Sequence, residues 1–235
     1  MNIRILQLIE GVRKATGLTV VIDVFRSFSV TCYVFENGAR MIIPVGDVEK
    51  AYELKQKNPD YILIGERGGR KPSGFDYGNS PTQIENVNFL GKVVIQTTTA
   101  GTKGLMNAKD ADEIITGSFV NAQAVIDYIV AKNPKKVSLV CMGKAGVSMA
   151  DEDTLCAEYI KDSLENKQAD FQRIVSYLRN YETAKKFFDP NKVWAPERDF
   201  KLCLSINKFS FILKARSYID DLICLEKIER CGENI

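Results

Sequence analysis

Short runs rich in β-branched residues alternate with longer segments of helical period, and this alternation constrains the chain more than any other feature. The strand candidates are Thr19–Asp23, Arg40–Val45, Tyr61–Gly65, Lys92–Thr97, Asp112–Thr116 and Lys136–Cys141. Most are near-continuous apolar runs, the pattern of parallel strands covered on both faces. Helical periods fall between them, at Ser29–Asn37 with a stop at Gly38, at Val48–Lys57 before Pro59, and at Phe119–Ala131. Repeated β-α-β order with short links predicts an α/β fold: a largely parallel or mixed sheet with helices on both faces.

The pattern changes after Met149. Asp151–Asn166 and Asp170–Phe188 read as long helices, followed by a proline-bearing connection, a short helix near Asp199–Ile206 and an apolar segment at Leu222–Leu225. A more helical C-terminal lobe is therefore expected. One compact unit with a sheet-rich part over 1–150 and a helix-rich part over 151–235 would place the site between them.

Composition narrows the function. Hydrophobic residues at 45% and charged residues at 26% exclude a disordered chain. A net charge of +2 with both signs interspersed gives no electrostatic case for nucleic acid. The chain has no histidine, which excludes a Ser-His-Asp triad, a Cys-His pair and a phosphohistidine. A metal here would be held by hard oxygen ligands, favouring Mg²⁺, Mn²⁺ or Ca²⁺. The six cysteines show no C-x-x-C spacing and sit mostly in apolar stretches, the usage of buried free thiols in a reducing compartment. The N-terminal residues lack the apolar core of a signal peptide, and no run reaches the ~18 apolar residues of a membrane span. The expectation is a cytoplasmic protein with no membrane partner.

Unusual polar clusters follow nearly every predicted strand. Asp23, Arg26 and Ser29 follow the first; Glu66, Arg67, Arg70, Lys71, Asp76, Asn79 and Ser80 follow the Tyr61 strand. "TTTAGT" (97–102) follows the Lys92 strand, Ser118 and Asn121 follow the Asp112 strand, and Asp151, Glu152 and Asp153 lie beyond the Lys136 strand. Strand C-termini of a parallel sheet share one edge, where α/β proteins place their ligand crevice, so the clusters are expected to converge.

Five of the sixteen glycines fall within 65–78, beside Arg67, Arg70 and Lys71, which suits a loop folding over an anion. In "TTTAGT", Thr97, Thr98, Thr99, Gly101 and Thr102 would open a helix whose amides and hydroxyls can surround a phosphate; strand propensity and N-capping explain the same threonines without a ligand. Ser118 and Asn121 divide the same way, between cap and ligand contact. No Walker A loop is present. Asp23 ends a hydrophobic strand, a position suited to a metal or a substrate proton, whereas capping and dipole compensation explain the acids at 151–153 without a metal. Cys224 and Arg230 match the C-x5-R spacing of cysteine phosphatases, but the bulky, acidic "LEKIE" between them would repel a phosphate.

"VVIDVFRSFS", "GERGG", "GFDYGNSP", "TTTAGT", "GSFVNA" and "EDTLCA", in this order, resemble the 2-phosphosulfolactate phosphatase family over roughly 20–160. The resemblance implies a Mg²⁺-dependent phosphomonoesterase that converts 2-phospho-3-sulfolactate, or a similar phosphorylated 2-hydroxy acid, to 3-sulfolactate and phosphate in the route to coenzyme M. Phe25 and Phe28 stand where members commonly carry smaller or aliphatic residues. A polyanionic ester wants several Arg and Lys donors around one ion.

The expected machinery is therefore Mg²⁺ held by Asp23 and one or two of Glu66, Glu152 and Asp153. Arg26, Arg67, Lys71, Asn79, Ser80 and the "TTTAGT" donors would hold substrate oxygens, with Ser118 and Asn121 at the same crevice. A water nucleophile is preferred, with a phospho-aspartate at Asp23 as the alternative. The rival from another class is a non-catalytic binder of a phosphorylated or sulfonated metabolite. A homo-oligomer such as a dimer is a further expectation.

Overall fold

The computed structural model describes residues 1–229. Its strands are β1 (Asn2–Gln7), β2 (Gly17–Ile22), β3 (Met41–Pro44), β4 (Ile62–Gly65), β5 (Tyr77–Gly78), β6 (Val93–Thr97), β7 (Ala111–Gly117), β8 (Lys136–Cys141), β9 (Phe211–Ser217) and β10 (Ile223–Glu229). The helices are α1 (Leu8–Val12), α2 (Ser27–Glu36), α3 (Val48–Lys57), α4 (Pro81–Ile84), α5 (Gly101–Asn107), α6 (Ala122–Lys132), α7 (Asp151–Leu164), α8 (Phe171–Arg179) and α9 (Glu197–Cys203). The predicted α/β class holds: the strands form one mixed sheet in the order β1-β8-β2-β7-β9-β10-β3-β6-β4-β5.

The strands with the most continuous apolar runs are the most enclosed. All six residues of β2 and all five of β6 are buried. Helix α2 is buried at every position except Glu36, as expected for a helix apolar on all sides. One core cluster joins it to Val21 and Val140 on one half of the sheet and to Ile42, Ile64 and Val94 on the other. Helix α3, with Asp47 capping the Lys50 N–H at 2.7 Å, is amphipathic and lies outside.

The sheet consists of two parallel blocks that run in opposite senses. Strands β1, β8, β2 and β7 are mutually parallel, as are β3, β6, β4 and β5. The hairpin β9–β10 joins them, antiparallel to β7 on one side and to β3 on the other. The C-terminal ends of β2 and β6 therefore do not share an edge by parallel pairing, which is a correction to the reasoning from sequence. They meet because the blocks fold around a common core. Strand twist of roughly 20–25° per step, about 100–125° over the five steps from β2 to β6, turns one block toward the other.

The C-terminal third also differs in detail. It is helical as far as Cys203, as expected, but residues 211–229 return as the central hairpin of the sheet. Lys214 and Arg216 obscured β9 as a strand; in the fold Lys214 pairs with Glu113 of β7 at 2.8 Å. The long helix expected over 170–188 breaks after Arg179, and Glu182–Phe187 forms a 3-10 turn instead. Strand β1, absent from the sequence reading, is an edge strand with partial exposure.

Candidate active site

Asp23 follows β2 directly and is buried to 7% exposure. Its Oδ1 accepts the Ser27 N–H at 3.2 Å, which fixes the carboxylate at the start of α2. The chain after β6 comes so close that a Cβ on Gly101 would stand 2.9 Å from Asp23 Oδ2 and 2.6 Å from Ser27 Oγ. Only glycine permits that approach. Burial, with repulsion from Glu66 and Glu152, outweighs the Ser27 N–H and Lys186 and raises the Asp23 pKa to about 7.

Three further buried carboxylates stand around it, each tying separate loops together. Glu66, after β4, accepts the Thr99 N–H at 2.7 Å and hydroxyl at 2.8 Å on Oε1 and the Gly69 N–H at 2.7 Å on Oε2. Asp153, in the first turn of α7, accepts the Val24 N–H on Oδ1 and the Gly143 N–H on Oδ2, both at 2.8 Å. Glu152 accepts the Thr183 hydroxyl at 2.5 Å. Burial raises Asp153 well above the usual carboxylate range, helped by the charges of Asp23 and Glu152, and it raises Glu152 as well.

Arg26 is held by the C-terminal third of the chain. Its Nη1 donates to Asp199 Oδ2 and to the Trp194 carbonyl, both at 2.7 Å. Asp199 in turn accepts the Ser80 hydroxyl at 2.7 Å and the Thr82 hydroxyl at 2.6 Å on Oδ1. The guanidinium also lies 5.6 Å from the Trp194 ring centre. A Cβ on Gly69 would stand 2.4 Å from that same ring, so the glycine-rich loop rests directly on the tryptophan.

These groups surround a cleft of about 530 Å³. Of the residues expected at the site, Asp23, Arg26, Glu66, Asn79, Thr98, Thr99, Glu152 and Asp153 line it. The others are placed around it with protein partners. Arg67 donates to the carbonyls of Glu66 and Gly46 and to Thr97 Oγ1 at 2.6 Å, bracing the ends of β4 and β6. Lys71 is exposed, with its ammonium 3.4 Å from the Asp76 carbonyl. Ser80 is occupied by Asp199, and Thr102 exchanges hydrogen bonds with Thr98. Ser118 and Asn121 form a capping box, and Ser118 Oγ lies 2.7 Å from Ser29 Oγ. Of the six cysteines, Cys224 is buried in β10 away from the cleft; Arg230 and Cys231 lie outside the described residues.

A whole wall of the cleft escaped the sequence reading: Tyr181, Thr183, Lys185, Lys186, Lys192 and Trp194. The segment 181–194 carries one usable signal, a concentration of lysines and aromatics around Pro190 after the helix break. Phe25 belongs to this wall, packing edge-on against Phe187 with ring centres 5.0 Å apart, while Phe28 is wholly buried.

The donor set suits a hard divalent cation. Four buried carboxylates share the cleft with the exposed Glu182, burial opposes the charge of Asp23, Glu152 and Asp153, and Asp23 Oδ2 accepts no protein hydrogen bond among the described residues. Among the described residues no three acidic or thiol side chains stand close enough together to hold a metal ion by themselves. That is compatible with Mg²⁺, which usually takes one or two carboxylates and keeps several waters.

Comparison with known proteins gives a consistent result. The family model described as 2-phosphosulpholactate phosphatase matches residues 4–217. The chain is 39% identical over 180 residues to a "Probable 2-phosphosulfolactate phosphatase" of Caldicellulosiruptor saccharolyticus, covering 74% of each chain. It is 35% identical over 215 residues to the protein of the same name from Caldanaerobacter subterraneus, covering 85% of this chain and 88% of the relative. A third such relative, from Thermoplasma acidophilum, is 34% identical over 206 residues and 88% of each chain.

Proposed function

The chain belongs to the 2-phosphosulpholactate phosphatase family, and on that premise we propose that it hydrolyses 2-phosphosulfolactate, or a closely similar phosphorylated 2-hydroxy acid, in a Mg²⁺-dependent reaction within the cytoplasm. The observation that carries this reading is the gathering of Asp23, Glu66, Glu152 and Asp153 with Arg26 and Lys186 around one cleft. A phosphate ester needs both signs there, acids to hold a cation and cations to hold the ester's anionic groups.

Asp23 would hold Mg²⁺ with one or two of Glu152, Glu66 and Asp153. Asp23 and Glu152 are favoured, because Glu66 and Asp153 already take protein donors on both oxygens. Bound there, the ion would neutralise charge on the phosphoryl group and lower the pKa of water.

The remaining work falls to side chains. Arg26, oriented by Asp199, presents a fixed guanidinium toward phosphoryl or carboxylate oxygens. Thr98 contributes a hydroxyl and Asn79 an amide, while the Thr99 hydroxyl orients Glu66. Glu66 and Asp153 hold the loops after β2, β4, β6 and β8 in register, which is the positioning that phosphoryl transfer chiefly requires. Phe25 and Trp194 give the cleft apolar surface and restrict water.

The test is inorganic phosphate release from 2-phosphosulfolactate, with Mg²⁺ and then with excess chelator. Turnover that chelation stops and Mg²⁺ restores is the expected result. No phosphate release with Mg²⁺ present overturns the reading; saturable ligand binding without turnover would leave a binding protein in its place.

A further inference from the structure

The chain has no histidine, so a proton for the departing ester oxygen must come from another side chain or from water. The cleft offers few donors. Arg26 is committed twice through Nη1, and a guanidinium does not give up a proton in a protein. Lys144 is exposed, Lys185 pairs with Glu182 at 2.6 Å, and Lys192 lies 3.6 Å from Asp189. Tyr181 is held above the usual tyrosine range, chiefly by its hydrogen bond with Asp151.

Lys186 is different. It lines the cleft half-buried, and its charge acts on both Asp23 and Glu152. It forms an ion pair with neither among the described residues. Its ammonium donates to the Phe25 carbonyl at 3.3 Å and lies 5.0 Å from the Phe187 ring centre and 5.8 Å from that of Phe25. An ammonium has three N–H donors, and a carbonyl and two ring faces leave it donor capacity for a ligand in the cleft.

We propose that Lys186 is the catalytic residue that donates a proton to the leaving oxygen of the phosphate ester. This rests on the hydrolase reading above. A bond forms from water oxygen to phosphorus as the ester P–O bond breaks. The bonding pair stays on the ester oxygen, which takes a proton from Lys186 Nζ. The surplus proton of the attacking water passes to solvent, and the neutral amine regains one from solvent, so the cycle balances with no redox step. Burial, with the Arg26 charge nearby, lowers the Lys186 pKa and makes the ammonium a better acid than an exposed lysine.

Lys186→Arg and Lys186→Met separate this role from charge alone. Arginine keeps the charge but cannot donate a proton, so both variants should lose kcat on 2-phosphosulfolactate by about 100-fold or more. KM should stay within a few-fold in the arginine variant. Unchanged melting and Trp194 emission would show that both are folded. Near-wild-type kcat in Lys186→Arg, or a loss confined to KM, overturns the proposal while leaving the phosphatase reading intact. Absence of turnover in the wild-type protein overturns the phosphatase reading itself, and this assignment with it.

Discussion

Arg26 Nη1 lies 2.7 Å from Asp199 Oδ2, with the two side chains 3% and 0% exposed, so a cleft residue from the β2–α2 turn is anchored by a helix 173 positions later. Asp199 also satisfies Ser80 and Thr82. The pair links the active-site turn, α4 and α9 through one carboxylate.

Removing that carboxylate leaves the Arg26 charge without its buried partner. Asp199→Ala should lower stability by about 3–5 kcal/mol, roughly 10 °C in melting temperature for a chain of this length. Thermal melting followed by circular dichroism checks it. A loss below about 1 kcal/mol would mean that solvent reaches Arg26 freely.

Gly101 tests the close approach of the two loops. A methyl group there meets Ser27 Oγ at 2.6 Å and Asp23 Oδ2 at 2.9 Å, so something must move. Gly101→Ala should cost about 1–3 kcal/mol of stability and reduce kcat at least tenfold by displacing Asp23. Phosphate release at saturating substrate and urea denaturation measure the two effects separately.

Asp23 gives a pH signature in metal-free protein. Its folded pKa of about 7 exceeds its ordinary value of 3.8, so the folded state binds this proton more tightly than the unfolded chain. Ionising Asp23 therefore costs stability progressively from about pH 4 to pH 7, with the full cost present above pH 7. Asp23→Asn should be more stable than wild type at pH 8, by on the order of a few kcal/mol, and similar to it near pH 4, while losing phosphatase activity. Urea titrations at both pH values would disprove this if the two proteins kept the same offset throughout.

Cation binding should reverse that destabilisation. Mg²⁺ at a hundred times its dissociation constant would stabilise the wild-type protein by about 2.7 kcal/mol and leave Asp23→Asn unchanged. A melting temperature insensitive to Mg²⁺ in the wild-type protein would remove Asp23 from any metal site.

Trp194 supplies a direct optical reading of the cleft, because it is the only tryptophan and contacts both Arg26 and the Gly69 loop. Titration with 2-phosphosulfolactate in the presence of chelator should change its emission saturably. The change should weaken in Arg26→Ala, whose loss frees the ring from the guanidinium. Emission indifferent to substrate would place the ligand elsewhere.

The α/β class and the chemistry of the acids are legible in the amino-acid order alone. Apolar runs such as Thr19–Asp23 and Lys92–Thr97 are strands because nothing else buries them, and the absence of histidine leaves catalysis to carboxylates, lysine, arginine, hydroxyls, thiols or a bound ion. The same order also marks Asp23, Glu66, Glu152 and Asp153, since acids beside apolar strands and glycine turns are conspicuous in one dimension. Only the tertiary structure decided which polar residues face the cleft. Arg67, Ser118 and Asn121 look the same in sequence as Arg26 and Thr99, yet only the latter two line the cleft. Lys186, Trp194 and Asp199 lie in the C-terminal third, more than 150 positions from Asp23. Their place depends on a helix break at 180 and on a hairpin closing the sheet between its two halves. Local sequence encodes the propensity of each segment, but the meeting of distant segments is set by how the halves bury a shared core.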